Sequence, residues 1–345
     1  MSGAPRPTQP SGLGARVVGA AIGARLRARD LSAAPDALNL LESTTPADRE
    51  QAAALLAEVS PAALGGEAHG HIIGVTGPPG AGKSTLLSAL VRHLRAHGWG
   101  SIAVLAVDPS SRRSGGSLLG DRARIEYDHT DPSVFIRSTA AGDRLGGLAP
   151  ATRAAAQALA AAFEMVVIET VGVGQAEIDV ADVADTVVLV VQPGSGDVLQ
   201  FLKSGIMEIP DVLVVTKADL GQVAMRTRRD LSAALRSLGV RREQDPVLSR
   251  VVAVSSVAPT SGFDELAQQL TQHWRELRAE DGALLVERRS QARRASALAD
   301  YVHEHGERGL RGLGGRRAAQ TALAEQDPGA DVPSLVSALE RRAAG

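Results

Sequence analysis

Cysteine is absent from this 345-residue chain. That excludes a disulfide framework, a thiolate metal site and a catalytic thiol, and makes an intracellular, cytoplasmic setting the simplest expectation. Aromatic residues are almost as scarce: two Trp, two Tyr and four Phe offer little of the stacking platform that single-stranded nucleic acid needs. Neither sign of charge is in excess. Thirty-seven Lys and Arg against 39 Asp and Glu leave a net charge of -2, so no general pull toward nucleic acid or an anionic membrane is expected. Long apolar runs are missing too, since nothing approaches the roughly 18 to 20 residues of a spanning helix. The stretch Val17 to Ala24, bracketed by Arg16 and Arg25, is too short and too weakly apolar for a signal peptide and reads as an amphipathic surface helix. What is present is ordinary globular composition, 44% hydrophobic and 22% charged, which excludes a mostly disordered or fibrous chain.

Three stretches differ in texture. Residues 1–69 begin with the Pro-, Gly- and Ser-rich MSGAPRPTQPSG, expected to be a loose arm. Helical signals follow over Gly14 to Arg29 and from Thr45, an N-cap candidate with Pro46 at the first helical position and Asp48 placed to close a capping box, until Ser60-Pro61 ends the run. Gly65 to Gly70 reads as a linker. Residues 70–275 alternate short β-branched runs with Ala- and Leu-rich helical segments. The runs are Ile72 to Val75, Ile102 to Val107, Val134 to Ile136, Val166 to Ile168, Val187 to Val191, Val212 to Val215 and Val251 to Val254; the helical segments are Lys83 to His97, Pro150 to Phe163, Asp197 to Glu208 and Arg226 to Leu238. This pattern predicts an α/β fold, a mainly parallel sheet covered by helices on both faces with its strand ends forming one ligand edge. Residues 276–345 read as helices, Ala283 to His305 and then pieces around Arg316 to Gln326 and Pro333 to Arg342. Arg288-Arg289 and Arg293-Arg294 stand out there, but eleven Arg are balanced by eleven acids, which favours a solvated or partner-facing arm over a nucleic-acid surface.

Chemistry is concentrated in Gly77, Pro78, Pro79, Gly80, Ala81, Gly82, Lys83, Ser84 and Thr85, directly after a strand and before a helix. This fits the phosphate-binding pattern G-x-x-x-x-G-K-[ST] in its required context. Glycines let backbone amides converge on a phosphate, the helix N-terminus adds partial positive charge, Lys83 reaches the β- and γ-phosphates and the Ser84 hydroxyl ligates Mg²⁺. A hard octahedral ion also needs carboxylates. Glu169, ending an apolar strand, Asp108, ending another, and Asp121, after a Gly-rich loop, are the candidates, with the Gly172 amide available to a γ-phosphate. Base choice falls to Thr216, Lys217 and Asp219 in T-K-A-D, close to the N-K-x-D guanine motif: Asp219 would accept from two guanine donors that adenine lacks, and Lys217 would lie along the base. Thr216 in place of Asn removes one polar brace. Ser255 and Ser256, after the next strand, could offer a loop amide to the guanine oxygen. Gln175 is a candidate for orienting an attacking water, though a surface Gln in a loop is an equal reading; Arg112, Arg113 or Arg144 could neutralise developing charge.

Read together, GVTGPPGAGKST, AVDPSS with GGSLLGDR, ETVGVGQAEIDVAD, PGSGDVLQFLKSGIMEI and TKAD resemble the MeaB/MMAA/ArgK family of P-loop GTPases over about residues 70–275. The resemblance implies a homodimeric chaperone that binds GTP and GDP with Mg²⁺, hydrolyses GTP, and docks on methylmalonyl-CoA mutase or a related adenosylcobalamin-dependent acyl-CoA mutase to gate cofactor loading and protect or reactivate it. By position it makes Lys83 and Ser84 phosphate and Mg²⁺ residues and Asp108, Asp121 and Glu169 an acidic cluster on the metal side; the candidates for catalysis are Lys83, Asp108, Glu169 and, from its place in the sequence alone, Gln175. Mobile switch segments are implied around Asp108 to Arg124, Glu169 to Asp179 and Gly194 to Lys203, with the C-terminal helices building the dimer. Two departures are Thr216, where the family commonly has Asn, and Gly142-Asp143-Arg144-Leu145-Gly146-Gly147-Leu148 in place of R-G-x-L-G-G-L. Other classes weighed are an ArgK-type transport-system kinase or ATPase, for which no feature positions an amino acid, and a metal-insertion GTPase, for which only the weak pair His303 and His305 speaks.

Overall fold

The computed structural model describes residues 12–108, 125–140, 148–172, 176–194, 210–237 and 251–344. Of the expected N-terminal arm over residues 1–12 only Gly12 is described, and it begins a helix; the expected helix from Asp197 to Glu208 lies outside the described residues. Among the described residues, four α-helices precede the sheet: α1 (Gly12–Arg27), α2 (Ala34–Glu42), α3 (Pro46–Glu58) and the single turn α4 (Pro61–Leu64). Helix α3 starts where the sequence placed it, with the Thr45 hydroxyl accepting the Asp48 amide at 3.2 Å. The capping box itself does not close. Asp48 accepts the hydroxyls of Ser43 at 2.6 Å and Thr45 at 2.7 Å, because its side chain is a methylene shorter than the Glu that reaches a cap's own backbone. Ser60-Pro61 ends α3 and also starts α4, with Ser60 as N-cap.

The next elements alternate as the β-branched runs require: β1 (His71–Thr76), α5 (Lys83–Ala96), β2 (Ile102–Asp108), β3 (Val134–Ala140), α6 (Pro150–Leu159), β4 (Met165–Glu169), α7 (Ala176–Ala181), β5 (Thr186–Val191), β6 (Val212–Val215), α8 (Gln222–Ser237), β7 (Val251–Ala253) and α9 (Phe263–Leu277). All seven strands are parallel, in the order β3-β2-β4-β1-β5-β6-β7. Helix α6 stops at Leu159, short of the expected Phe163, because the chain turns there and the Gly70 amide takes the Ala160 carbonyl at 2.9 Å. One sheet face buries Ile72, Leu105, Val166 and Ile168 against α2, α3 and α6; the other buries Ile73, Val104, Val167 and Val188 against α5 and α9. At about 1.5–3 kcal/mol per large apolar side chain, this two-sided burial holds the sheet together and explains why β1, β4, β5 and β6 are buried along their whole length. The chain runs to one side of β1 and then to the other, so β1 is the switch point at which parallel sheets open a ligand crevice.

Three further helices follow: α10 (Ala283–Gly312), α11 (Arg316–Ala324) and α12 (Val332–Ala344), sharing an apolar cluster that includes Tyr301, Leu310, Leu323 and Leu335. Gly306, with φ 64° and ψ -170°, breaks α10 one residue after His305, where the sequence reading ended it. The arginine pairs correct an expectation, because they are not a solvated face. Arg289 is bidentate on Asp185, at 2.9 and 2.7 Å, and also donates to the carbonyls of Ala68 and Gly70; Arg293 grips Glu67 at 2.7 and 2.9 Å, and Arg288 reaches Asp211 at 2.7 Å. Asp185 is 0% and Arg289 6% exposed. Burial pushes the Asp185 carboxyl up, yet the facing guanidinium outweighs it and holds the group below its ordinary range. The Gly65 to Gly70 stretch is thus clamped to α10 rather than being a free linker.

Candidate nucleotide site at the carboxyl edge of the sheet

The loop after β1 curls because Gly77, Gly80 and Gly82 take φ of 140°, 77° and 90°, conformations a side chain strongly disfavours. A Cβ on Gly77 would stand 2.2 Å from the Val190 carbonyl oxygen, so the loop lies directly on β5. Gly82 caps α5, which begins at Lys83, and the helix amides therefore face the curl. Lys83 is 7% exposed and its ammonium donates to the carbonyls of Gly77 at 2.8 Å and Pro78 at 3.3 Å. That holds the charge at the mouth of the loop, where a polyphosphate would meet it. Thr85 stands exposed in the first turn of α5.

Glu169 ends β4, beside β1, and is 4% exposed. The Ser84 hydroxyl donates to its Oε1 at 2.7 Å. A hydroxyl and a carboxylate converging beside a phosphate loop form an all-oxygen donor set, which suits a hard divalent cation such as Mg²⁺. Gly172 closes this side: its φ is 81°, and a Cβ there would stand 2.0 Å from the Gly77 oxygen and 2.5 Å from Lys83 Nζ. Asp108 is the last residue of β2, at the same edge. Asp121, Gln175, Arg112, Arg113 and Arg144 lie outside the described residues.

On the other side of β1, Thr216 follows β6 and buries its hydroxyl, which donates to the Ala81 carbonyl of the phosphate loop at 2.7 Å. Where Thr in place of Asn was expected to leave one polar brace missing, the Thr216 hydroxyl does reach the loop, because β6 brings residue 216 directly against it. Lys217, at φ 54°, extends to Gln192 Oε1 at 2.8 Å. Asp219 is positioned by Ser255, whose hydroxyl donates to its Oδ1 at 3.0 Å. The Ser255 amide is committed to the Ser261 carbonyl at 3.0 Å; in place of the expected loop amide, Ser255 contributes its hydroxyl, and Ser256 is the member of the pair whose amide remains a candidate for the base. One contributor was missed by sequence reasoning, Gln192, whose position just past β5 at the ligand edge was the available signal; Ala81 was placed in the loop, but nothing in the sequence marked its carbonyl as the partner of Thr216.

The Lys83 loop, the Ser84 and Glu169 oxygens and the Asp219 carboxylate thus lie along one edge of the sheet. The family profile described as "Methylmalonyl Co-A mutase-associated GTPase MeaB" matches residues 34–308. A protein of Pyrococcus abyssi described as a putative GTPase is 42% identical over 273 residues, 77% of this chain and 78% of its own. A mouse protein described as a mitochondrial methylmalonic aciduria type A homolog is 35% identical over 266 residues, covering 74% of this chain and 63% of its own. The crystal structure of a LAO/AO transport system kinase superposes with a TM-score of 0.63 at 27% identity, over 94% of this chain and 97% of the other. With its phosphate loop on β1, its all-parallel sheet and a match spanning most of its length, the chain belongs to the MeaB family of P-loop GTPases.

Proposed function

We propose that this protein binds GTP and GDP with Mg²⁺, hydrolyses GTP, and uses its nucleotide state to gate cofactor loading in an adenosylcobalamin-dependent acyl-CoA mutase of the methylmalonyl-CoA type, protecting or reactivating it. The observation that carries the reading is the convergence of the Lys83 loop, the Ser84 and Glu169 oxygens and the Asp219 carboxylate on one strand edge. Family membership and the mouse relative's description support the mutase as client. The protein would act as a cytoplasmic homodimer built through residues 276–345, with the nucleotide domain over residues 70–275 and the helical preface over residues 1–69.

In this reading the loop amides and Lys83 bind the β- and γ-phosphates. They stabilise charge on the γ-phosphoryl oxygens as water attacks in line. Ser84, Glu169, Asp108 and Asp121 would hold Mg²⁺, which neutralises phosphate charge when bound. Asp219, steadied by Ser255, accepts the two guanine donors, while Lys217, held by Gln192, flanks the base. Gly172 offers its amide to the γ-phosphate, and Gln175 is the proposed group for placing the water. Lys83→Ala should abolish turnover. The discriminating experiment follows γ-labelled GTP with and without the purified mutase. Release as free phosphate, faster with the mutase, supports the reading; equal fast rates reject gating, and transfer of label to protein or arginine supports a kinase.

A further inference from the structure

Helix α5, which begins with Lys83 and Ser84, ends in a pair of histidines one turn apart, His93 and His97, facing Asp264 in the first turn of α9. We propose that these three residues form a binding site for a divalent first-row transition ion, Zn²⁺ foremost, separate from the nucleotide edge. One ligand atom from each lies within 4.8 Å of the others. His93 Nε2 stands 3.1 Å from Asp264 Oδ1, near the ~3.3 Å edge of a tetrahedron with bonds of about 2.0–2.1 Å. His97 Nδ1 lies 2.7 Å from the His93 carbonyl oxygen. A carbonyl can only accept, so that nitrogen carries the proton and Nε2 keeps its lone pair, the arrangement by which an imidazole is oriented toward a metal.

The surroundings fit a cation. The two rings stand 4.2 Å apart, and His93 leans on buried Phe263, with 5.8 Å between ring centroids, which limits its rotamers. The carbonyls at the C-terminus of α5 add partial negative charge. Arg95, on the same helix, is turned onto Asp131 at 2.7 Å and the Gly100 carbonyl at 2.8 Å. Two imidazoles and a carboxylate select Zn²⁺, Ni²⁺ or Cu²⁺ over Mg²⁺, which prefers oxygen donors, and three protein ligands leave one position for water. The other such cluster among the described residues, Glu304, His305 and Glu340, has a single imidazole. An ion at the first site would tie α5 to α9, the helices that follow the phosphate loop and the Ser255 loop.

The test uses the full chain without a histidine tag, stripped by chelator and titrated with Zn²⁺ against a chromophoric competitor. We expect one equivalent bound at micromolar affinity, a rise in melting temperature by mass action, and no response to Mg²⁺ at these residues. His97→Ala and Asp264→Asn should each weaken binding at least about tenfold, or about 1.4 kcal/mol, while His305→Ala leaves it unchanged. A visible Co²⁺ band that disappears in His97→Ala would report coordination directly, whether or not a variant alters stability. Binding indifferent to His97 and Asp264, or lost with His305, overturns the assignment.

Discussion

The Thr216 hydroxyl donates to the carbonyl of Ala81 at 2.7 Å, joining the end of β6 to the phosphate loop. The strand end that leads to Asp219 and the loop that leads to Lys83 are thereby braced against each other by one buried bond. Thr216→Val keeps the shape and removes the donor. The lost bond should lower GDP affinity by about 1–2 kcal/mol, on the order of tenfold, with Thr216→Ser retaining most of it. Titration with a fluorescent guanine nucleotide reads this out, and unchanged affinity in Thr216→Val would show that the brace is idle.

Gly172 tests the closeness of the two loops. Gly172→Ala combines a left-handed φ of 81° with a Cβ 2.0 Å from the Gly77 oxygen and 2.5 Å from Lys83 Nζ, whereas Gly65→Ala has a similar φ of 74° and nothing within 4 Å. The second substitution should cost only the backbone term, about 1–2 kcal/mol. The first should also dislodge the phosphate loop and abolish nucleotide binding. Equal nucleotide affinity in both variants would contradict the packing described.

The strands and the phosphate loop were legible because their signals are local: continuous β-branched runs, and glycines at fixed spacing before Lys-Ser. Contacts between distant segments were not. Thr216 looked like a lost brace because its partner, Ala81, becomes its neighbour only when β1 and β6 enter one sheet. Arg289 looked like part of a solvated cluster because charge along a helix does not reveal which face is covered. Its partner Asp185 stands at the head of β5, and no periodicity links the two.

That pair yields a third prediction. Asp185→Asn leaves the buried guanidinium of Arg289 facing a neutral amide, and breaking such a pair from one side costs about 3–5 kcal/mol. Replacing both, Asp185→Leu with Arg289→Met, should cost less than the sum of the single changes, since no uncompensated charge remains. Urea unfolding measures both. Nucleotide affinity should hardly move in the folded variants, because the pair lies at the amino ends of the strands, opposite Lys83 and Glu169. Additive losses would show that the pair is not coupled.

The same end of the sheet sets the response to acid. His71 is buried, stacks on Trp274 at 4.6 Å between ring centroids, and shares a hydrogen bond with Thr186 at 2.6 Å, which in turn bonds His273 at 2.7 Å. Burial lowers its pKa to about 3, and burial also lowers that of His69. Between about 6.5, the ordinary histidine value, and that lower value, the unfolded chain binds protons that the folded chain refuses. Stability should therefore be insensitive to these groups above about pH 6.5 and fall as the pH drops below it, by up to about 1.4 kcal/mol per unit for His71. Asp185, whose carboxyl is held below its ordinary range, contributes stability that is lost only as the pH falls below about 4. The window from pH 6.5 to 4.5 lies above the loss due to Asp185, but the Asp300 carboxyl, pushed up by burial, also takes up a proton above the ordinary carboxylate range, so the comparison with a His71 variant is what isolates the histidine. His71→Phe keeps a ring against Trp274 and removes one titrating site, so its stability should decline less steeply across that window than that of the parent chain; parallel slopes in urea unfolding at pH 6.5, 5.5 and 4.5 would show that His71 is not the group refusing the proton.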